Sequence, residues 1–117
     1  MPWQTYRELQ AEIVPGAYWE ATYRAVSADG SNYAGDPMTG ATFELKIFDV
    51  EDSSTLVVDA SSGVTAESSS DVKVLLSAAN TALLTPGNIY AAWLFVTLDG
   101  EEFPFVEFLW IARPGKL

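Results

Sequence analysis

Few side chains in this sequence could do acid–base or nucleophilic chemistry. It has no histidine and no cysteine. That removes the usual proton shuttle, the thiolate nucleophile and the commonest zinc ligands. What remains is carboxylate. Asp49, Glu51 and Asp52 lie close together, as do Asp99, Glu101 and Glu102. Neither group has the spacing of a calcium loop, which sets several oxygen ligands around a glycine turn. Both read as solvated acidic turns. Glu107 stands in an apolar stretch, the kind of environment that tunes a glycosidase acid. A lone carboxylate in such a strand more often lies on the outer face or pairs with an arginine. The sequence therefore predicts no catalytic residue, no metal ligand and no cofactor.

Aromatic rings are the other candidate chemistry. Trp3, Trp19, Trp93 and Trp110, with five tyrosines, could stack on sugar rings. They could equally fill a sandwich core and its interfaces. Trp19, Trp93 and Trp110 fall inside expected strands and not in loops, which favours the core and interface reading.

The composition narrows the partners. At 117 residues the chain is one domain with a single modest core. Six Lys and Arg face sixteen Asp and Glu, a formal charge of −10. That field repels phosphate backbones and anionic lipid, so neither nucleic acid nor membrane is an expected partner. No run is long and apolar enough for a span, and the first residues lack a basic and apolar signal segment. Synthesis and assembly in a cytoplasm are expected.

The elements that must position these residues follow from period-2 alternation. Ala17–Ser27, Thr42–Val50, Thr55–Ala60, Asp71–Leu76, Asn88–Leu98 and Phe103–Ala112 read as six strands. Ala28–Asn32 and Gly35–Gly40 read as loop, Glu51–Ser54 as a hairpin turn and Ser61–Ser70 as a mobile Ser-rich loop. Ser77 reads as the N-cap of a short Ala-rich helix ended by Pro86-Gly87. Asp99-Gly100 is a hairpin signal, and Arg113-Pro114-Gly115 ends the last strand. Residues 1–16 form an N-terminal arm. Trp3, Tyr6, Leu9 or Gln10, and Ile13 sit there at helical spacing, which suits one helical turn or a docking arm. Residues 17–117 form the single sandwich domain. The expected fold is all-β, an antiparallel immunoglobulin-like β-sandwich with one short helical insert.

Three stretches carry a family resemblance. They are Asp36-Pro37-Met38-Thr39-Gly40-Ala41-Thr42-Phe43-Glu44-Leu45-Lys46-Ile47, then Leu76-Ser77-Ala78-Ala79-Asn80-Thr81-Ala82-Leu83-Leu84-Thr85-Pro86-Gly87-Asn88-Ile89-Tyr90, then Val96-Thr97-Leu98-Asp99-Gly100. In this order they resemble the N-terminal domains of siphophage upper-baseplate proteins and kindred tail or neck proteins. The likeness spans about Trp19 to Pro114. The chain departs from the pattern in two places. Asn88 is an extra residue before Ile89-Tyr90, where a bulge is expected, and Val106-Glu107-Phe108-Leu109 stands where a glycine is usual. The resemblance implies a non-enzymatic virion structural protein of a tailed phage, assembled in the host cytoplasm into a tail, baseplate or neck ring with copies of itself and other virion proteins. A carbohydrate- or receptor-binding module of a phage or bacterial surface is the alternative.

One feature of the residues themselves supports an interface. A sandwich strand normally shows one apolar and one polar row. In Asn88–Leu98 both rows are apolar: Tyr90, Ala92, Leu94, Val96 and Leu98 on one side, Ile89, Ala91, Trp93 and Phe95 on the other. Phe103–Ala112 repeats this, with Phe103, Phe105, Leu109 and Ile111 against Val106, Phe108, Trp110 and Ala112. One sheet cannot bury both faces in a small sandwich, so either another chain covers the second face or the N-terminal arm covers part of it. The resembled family's pattern gives the places of Tyr90 and Leu94 to core residues, which implies that Trp93 and Phe95 face outward; the expected interface residues are Trp93, Phe95, Ile89, Phe105 and Trp110. Burying such a patch supplies on the order of 10 kcal/mol before association costs.

Overall fold

Alternating side chains in Thr42–Asp49 and Ile89–Leu98 let both segments bury one row, and the two pair antiparallel at the middle of a sheet. A computed structural model of the chain describes residues 3–26 and 38–113. These form β1 (Tyr6–Ile13), β2 (Trp19–Arg24), β3 (Thr42–Asp49), β4 (Asp52–Asp59), β5 (Val64–Ala66), β6 (Asp71–Leu76), β7 (Ile89–Leu98) and β8 (Glu101–Ala112). Helix α1 (Ala78–Thr81) and a 3-10 turn at Ser61–Gly63 complete them. One sheet has the order β1-β8-β7-β3-β4 and the other β2-β6-β5. Neighbouring strands are antiparallel except β1, which runs parallel to β8. The protein is an all-β, immunoglobulin-like sandwich with one short helical insert.

The core lies between the sheets. Leu45 and Ile47 from β3, Tyr90, Leu94 and Val96 from β7, and Val106, Phe108 and Trp110 from β8 face Tyr23, Val72, Val74 and Leu76. The Phe108 and Trp110 rings stack at 4.4 Å, and Trp19 meets Trp110 edge-on at 5.5 Å. Tyr90 carries a hallmark of the architecture: its hydroxyl accepts the Thr85 N–H at 2.7 Å, closing the corner that leads into β7. Two residues on, where antibody domains place a disulfide cysteine, this chain has buried Ala92.

The corner is built by α1. Ser77 Oγ accepts from Asn80 N at 3.1 Å, the N-cap expected of this segment, and Asn80 Oδ1 accepts from Ser77 N at 3.3 Å, which makes the cap reciprocal. Between β7 and β8 the Asp99-Gly100 turn has φ of 53° and 79°, a tight hairpin that needs positive φ at both positions.

Four expectations are corrected. The helical spacing in the N-terminal arm gives no helix: residues 6–13 are strand β1, and Trp3 and Ile13 are buried in the core. A register shift between Leu9 and Ala11 explains the misreading. A bulge moves an alternating row by one residue, so Tyr6 and Ile13, seven residues apart, both point inward as two turns of helix would place them, while Leu9 faces outward. The stretch Ser61–Ser70 is not one loop, because Val64–Ala66 pairs with β6 as β5. Asp52–Ser54, expected in a turn, opens β4. No bulge occurs at Asn88. Its N–H donates to Thr85 O and its carbonyl accepts from Ala112 N. The register shift falls instead between Leu94 and Phe95, where Phe105 is the extra residue of β8. The loops expected at Ala28–Asn32 and Gly35–Pro37, and Pro114-Gly115, lie outside the described residues.

Candidate functional site

The two sheets differ on their outer faces. On the three-stranded sheet that face is polar: Arg24 pairs with Asp71 at 2.8 Å, and Lys73 lies 3.5 Å from both Glu20 and Glu67. On the five-stranded sheet the core takes Tyr90, Ala92, Leu94 and Val96 of β7, so Ile89, Ala91, Trp93 and Phe95 point away from it. Trp93 keeps 37% of its surface and Ile89 41%, and Leu9 on β1 keeps 51%.

The register arranges this face in two transverse rows. Leu9 opposes Leu109, Leu109 opposes Ala91, Ala91 opposes Phe48, and Phe48 opposes Leu56. Every member of that row is apolar. In the neighbouring row Arg7 opposes Glu107, Glu107 opposes Trp93, Trp93 opposes Lys46, and Lys46 opposes Asp59. Its charges read plus, minus, Trp93, plus, minus. Arg7 Nε donates to Glu107 Oε1 at 3.1 Å. Lys46 Nζ lies 2.9 Å from Glu44 Oε1.

Trp93 is the central ring of the face. It stacks on Phe95 with centroids 6.1 Å apart and planes 28° from parallel. A shallow hollow opens on each side of it. One, about 180 Å³, is lined by Leu9, Ala91, Trp93, Glu107 and Leu109. The other, about 240 Å³, is lined by Glu44, Lys46, Phe48, Trp93 and Phe95. The chain carries −10 overall, yet the Arg7–Asp59 row holds two cations and two anions.

Neighbouring groups shift two of these side chains toward their charged forms. The Glu44 carboxylate, hydrogen-bonded to Lys46, raises the lysine above its ordinary value, with Asp59 adding less. Hydrogen bonds from the Ser61 hydroxyl and backbone N–H lower Asp59. Inside the sandwich, burial is the main cause that raises Tyr23, and the nearby Glu8 charge adds to it.

Of the five expected interface residues, Trp93, Phe95 and Ile89 lie on this outer face. Phe105 and Trp110 do not: both are fully buried in the domain's own core. The Phe105 bulge is the reason. It shifts the inward row of β8 from Phe103 and Phe105 to Val106, Phe108, Trp110 and Ala112, leaving Leu109 and Ile111 outside. Pro104 is the signal in the sequence, since a proline within a strand marks an edge or a bulge. The four tryptophans divide likewise. Trp3 and Trp110 are buried, Trp19 packs against the core, and Trp93 faces outward.

The carboxylate groups make no converging site. Asp49 Oδ1 accepts from Glu51 N at 2.9 Å and Oδ2 accepts from Asn88 Nδ2 at 3.0 Å. Among the described residues no three acidic side chains come together as a metal ligand set. Glu107, the carboxylate singled out by its apolar strand, pairs with Arg7 on the outer face.

No protein-family model matches the chain, and no curated protein matches its sequence.

Proposed function

We propose that this protein is a non-enzymatic structural protein of a tailed-phage virion, assembled in the host cytoplasm into a tail, baseplate or neck ring. Its sandwich meets a neighbouring chain through the outer face of the five-stranded sheet. The single observation that carries the assembly reading is the continuous apolar row Leu9–Leu109–Ala91–Phe48–Leu56 beside Trp93 and Phe95. On this face Leu9, Leu56, Ile89 and Trp93 each keep more than a third of their surface, and contiguous exposed apolar surface marks interaction sites. Among the described residues the outer face of the opposite sheet carries the Arg24–Asp71 and Lys73–Glu20–Glu67 charges instead. The virion setting is supported by the resemblance of the three sequence stretches.

A second reading has its own observation. The near-parallel Trp93 and Phe95 rings share a hollow with Glu44 and Lys46. Aromatic faces beside charged hydrogen-bonding groups suit a saccharide. Light scattering on the purified chain, run alongside a glycan array, separates the two. Assembly without glycan binding is the expected result. A chain that stays monomeric and binds a glycan at micromolar concentration would overturn the assembly reading in favour of the second.

A further inference from the structure

The Arg7–Glu107–Trp93–Lys46–Asp59 row changes sign about its centre: each cation on one side of Trp93 is matched at equal rank by an anion on the other. We propose that this face docks a second copy of the chain about a two-fold axis running along β7. The proposal rests on the self-assembly reading above and specifies its geometry.

Two identical faces meet front to front only through a two-fold axis lying in the interface plane. Two such axes keep the facing strands aligned, as packed sheets prefer. An axis across the strands, along the charged row, sets each residue of the row over its own copy. Arg7 would then face Arg7, and Glu107 would face Glu107. An axis along β7 reverses the row. Arg7 then faces the second copy's Asp59, Glu107 faces its Lys46, and Trp93 meets Trp93 on the axis. All four charged contacts become attractive, and symmetry repeats none of them as a like pair. Sheets pack about 10 Å apart, a gap that Arg, Lys and Glu side chains reach across.

The apolar row satisfies the same operation. Leu9 lies over the second copy's Leu56 and Leu109 over its Phe48, while Ala91 meets Ala91 on the axis. The hollow beside Leu109 and the hollow beside Phe48 lie on opposite sides of β7, so the rotation sets one against the other. Both copies are strongly acidic, and the balanced row lets these faces approach despite the net charge. Because this contact takes one partner per copy, any ring built through it holds an even number of chains.

Sedimentation equilibrium on Glu107→Lys, on Lys46→Glu and on their equimolar mixture tests the axis. Each variant alone turns two symmetry-related attractions into repulsions. Its self-association should weaken by about tenfold, within the range of partly exposed charge contacts. In the mixed dimer one of the two contacts is the native Lys46–Glu107 pair and the other is the same pair with its signs exchanged, so both are attractive and association should return to near the wild-type value. Lys46 is an exposed side chain on the sheet surface, so Lys46→Glu carries the test alone should Glu107→Lys lose the folded circular-dichroism spectrum. Variants that associate as tightly as the wild type would overturn the two-fold along β7 while leaving self-assembly through this face intact. A wild type that stays monomeric at millimolar concentration would overturn both.

Discussion

Thr81 is the fully buried polar side chain among the described residues, and its hydroxyl ties α1 to the turn between β1 and β2. It donates to the Ala17 carbonyl at 2.7 Å and accepts from Gly16 N at 3.1 Å, pinning the turn between β1 and β2 onto α1. Thr81→Val keeps the shape and deletes both bonds. Each such bond is worth about 1 kcal/mol net, so the substitution should cost about 2 kcal/mol. For a chain of this length that lowers the melting temperature by about 8 °C. Thr81→Ser keeps the hydroxyl and loses one buried methyl, at about 1 kcal/mol. The two variants therefore rank in opposite orders under two explanations. If the hydroxyl matters, Val is the worse substitution; if only packing matters, Ser is. Thermal and urea unfolding of both variants, followed by circular dichroism, decides it. A Val variant as stable as the wild type would refute the account of how the β1–β2 turn is held.

Two further predictions concern the smaller sheet. Asp71 is held below its ordinary value chiefly by its hydrogen bonds with Arg24, so the group adds stability above the unfolded carboxylate range, about pH 4. That stability is lost as pH falls through the lower folded value. Asp71→Asn should therefore be less stable than the wild type at pH 7, with the gap closing below pH 4; a gap independent of pH would exclude the charge as its source. Gly63 packs so close to β6 that an added Cβ would lie 2.1 Å from the Leu75 carbonyl oxygen. Gly63→Ala should force the 3-10 turn and β5 away from β6 and cost at least about 2 kcal/mol in urea unfolding, whereas a neutral result would show that this turn yields freely.

Legibility in the sequence followed the regularity of the alternation. Thr42–Asp49, Asp71–Leu76 and Ile89–Leu98 keep an unbroken period of two, and each is a strand at nearly the expected bounds. The Ser77 cap and the Asp99-Gly100 hairpin were equally plain, because capping and positive φ each demand particular residues. Bulges defeated the reading elsewhere. The one near Gln10 made a strand look helical, and Phe105 moved half of β8 to the other face, taking Phe105 and Trp110 from the surface into the core. β5 is three residues long, too short to show any period. On the candidate face, the apolar side of β7 was legible because Ile89, Ala91, Trp93 and Phe95 share one strand. The transverse rows were not. Arg7, Lys46, Asp59 and Glu107 come from four strands, and only the register across the sheet puts them in line with Trp93.

The central claim is that Trp93 and Phe95 face a neighbouring chain and not the domain's own core. Sedimentation velocity over a wide concentration range, on the wild type and on Trp93→Ser, Phe95→Ser, tests it most directly. The wild type should sediment as an assembly, and the double variant as a monomer with an unchanged circular-dichroism spectrum. A wild type that is monomeric throughout, or a double variant that unfolds, would contradict the claim.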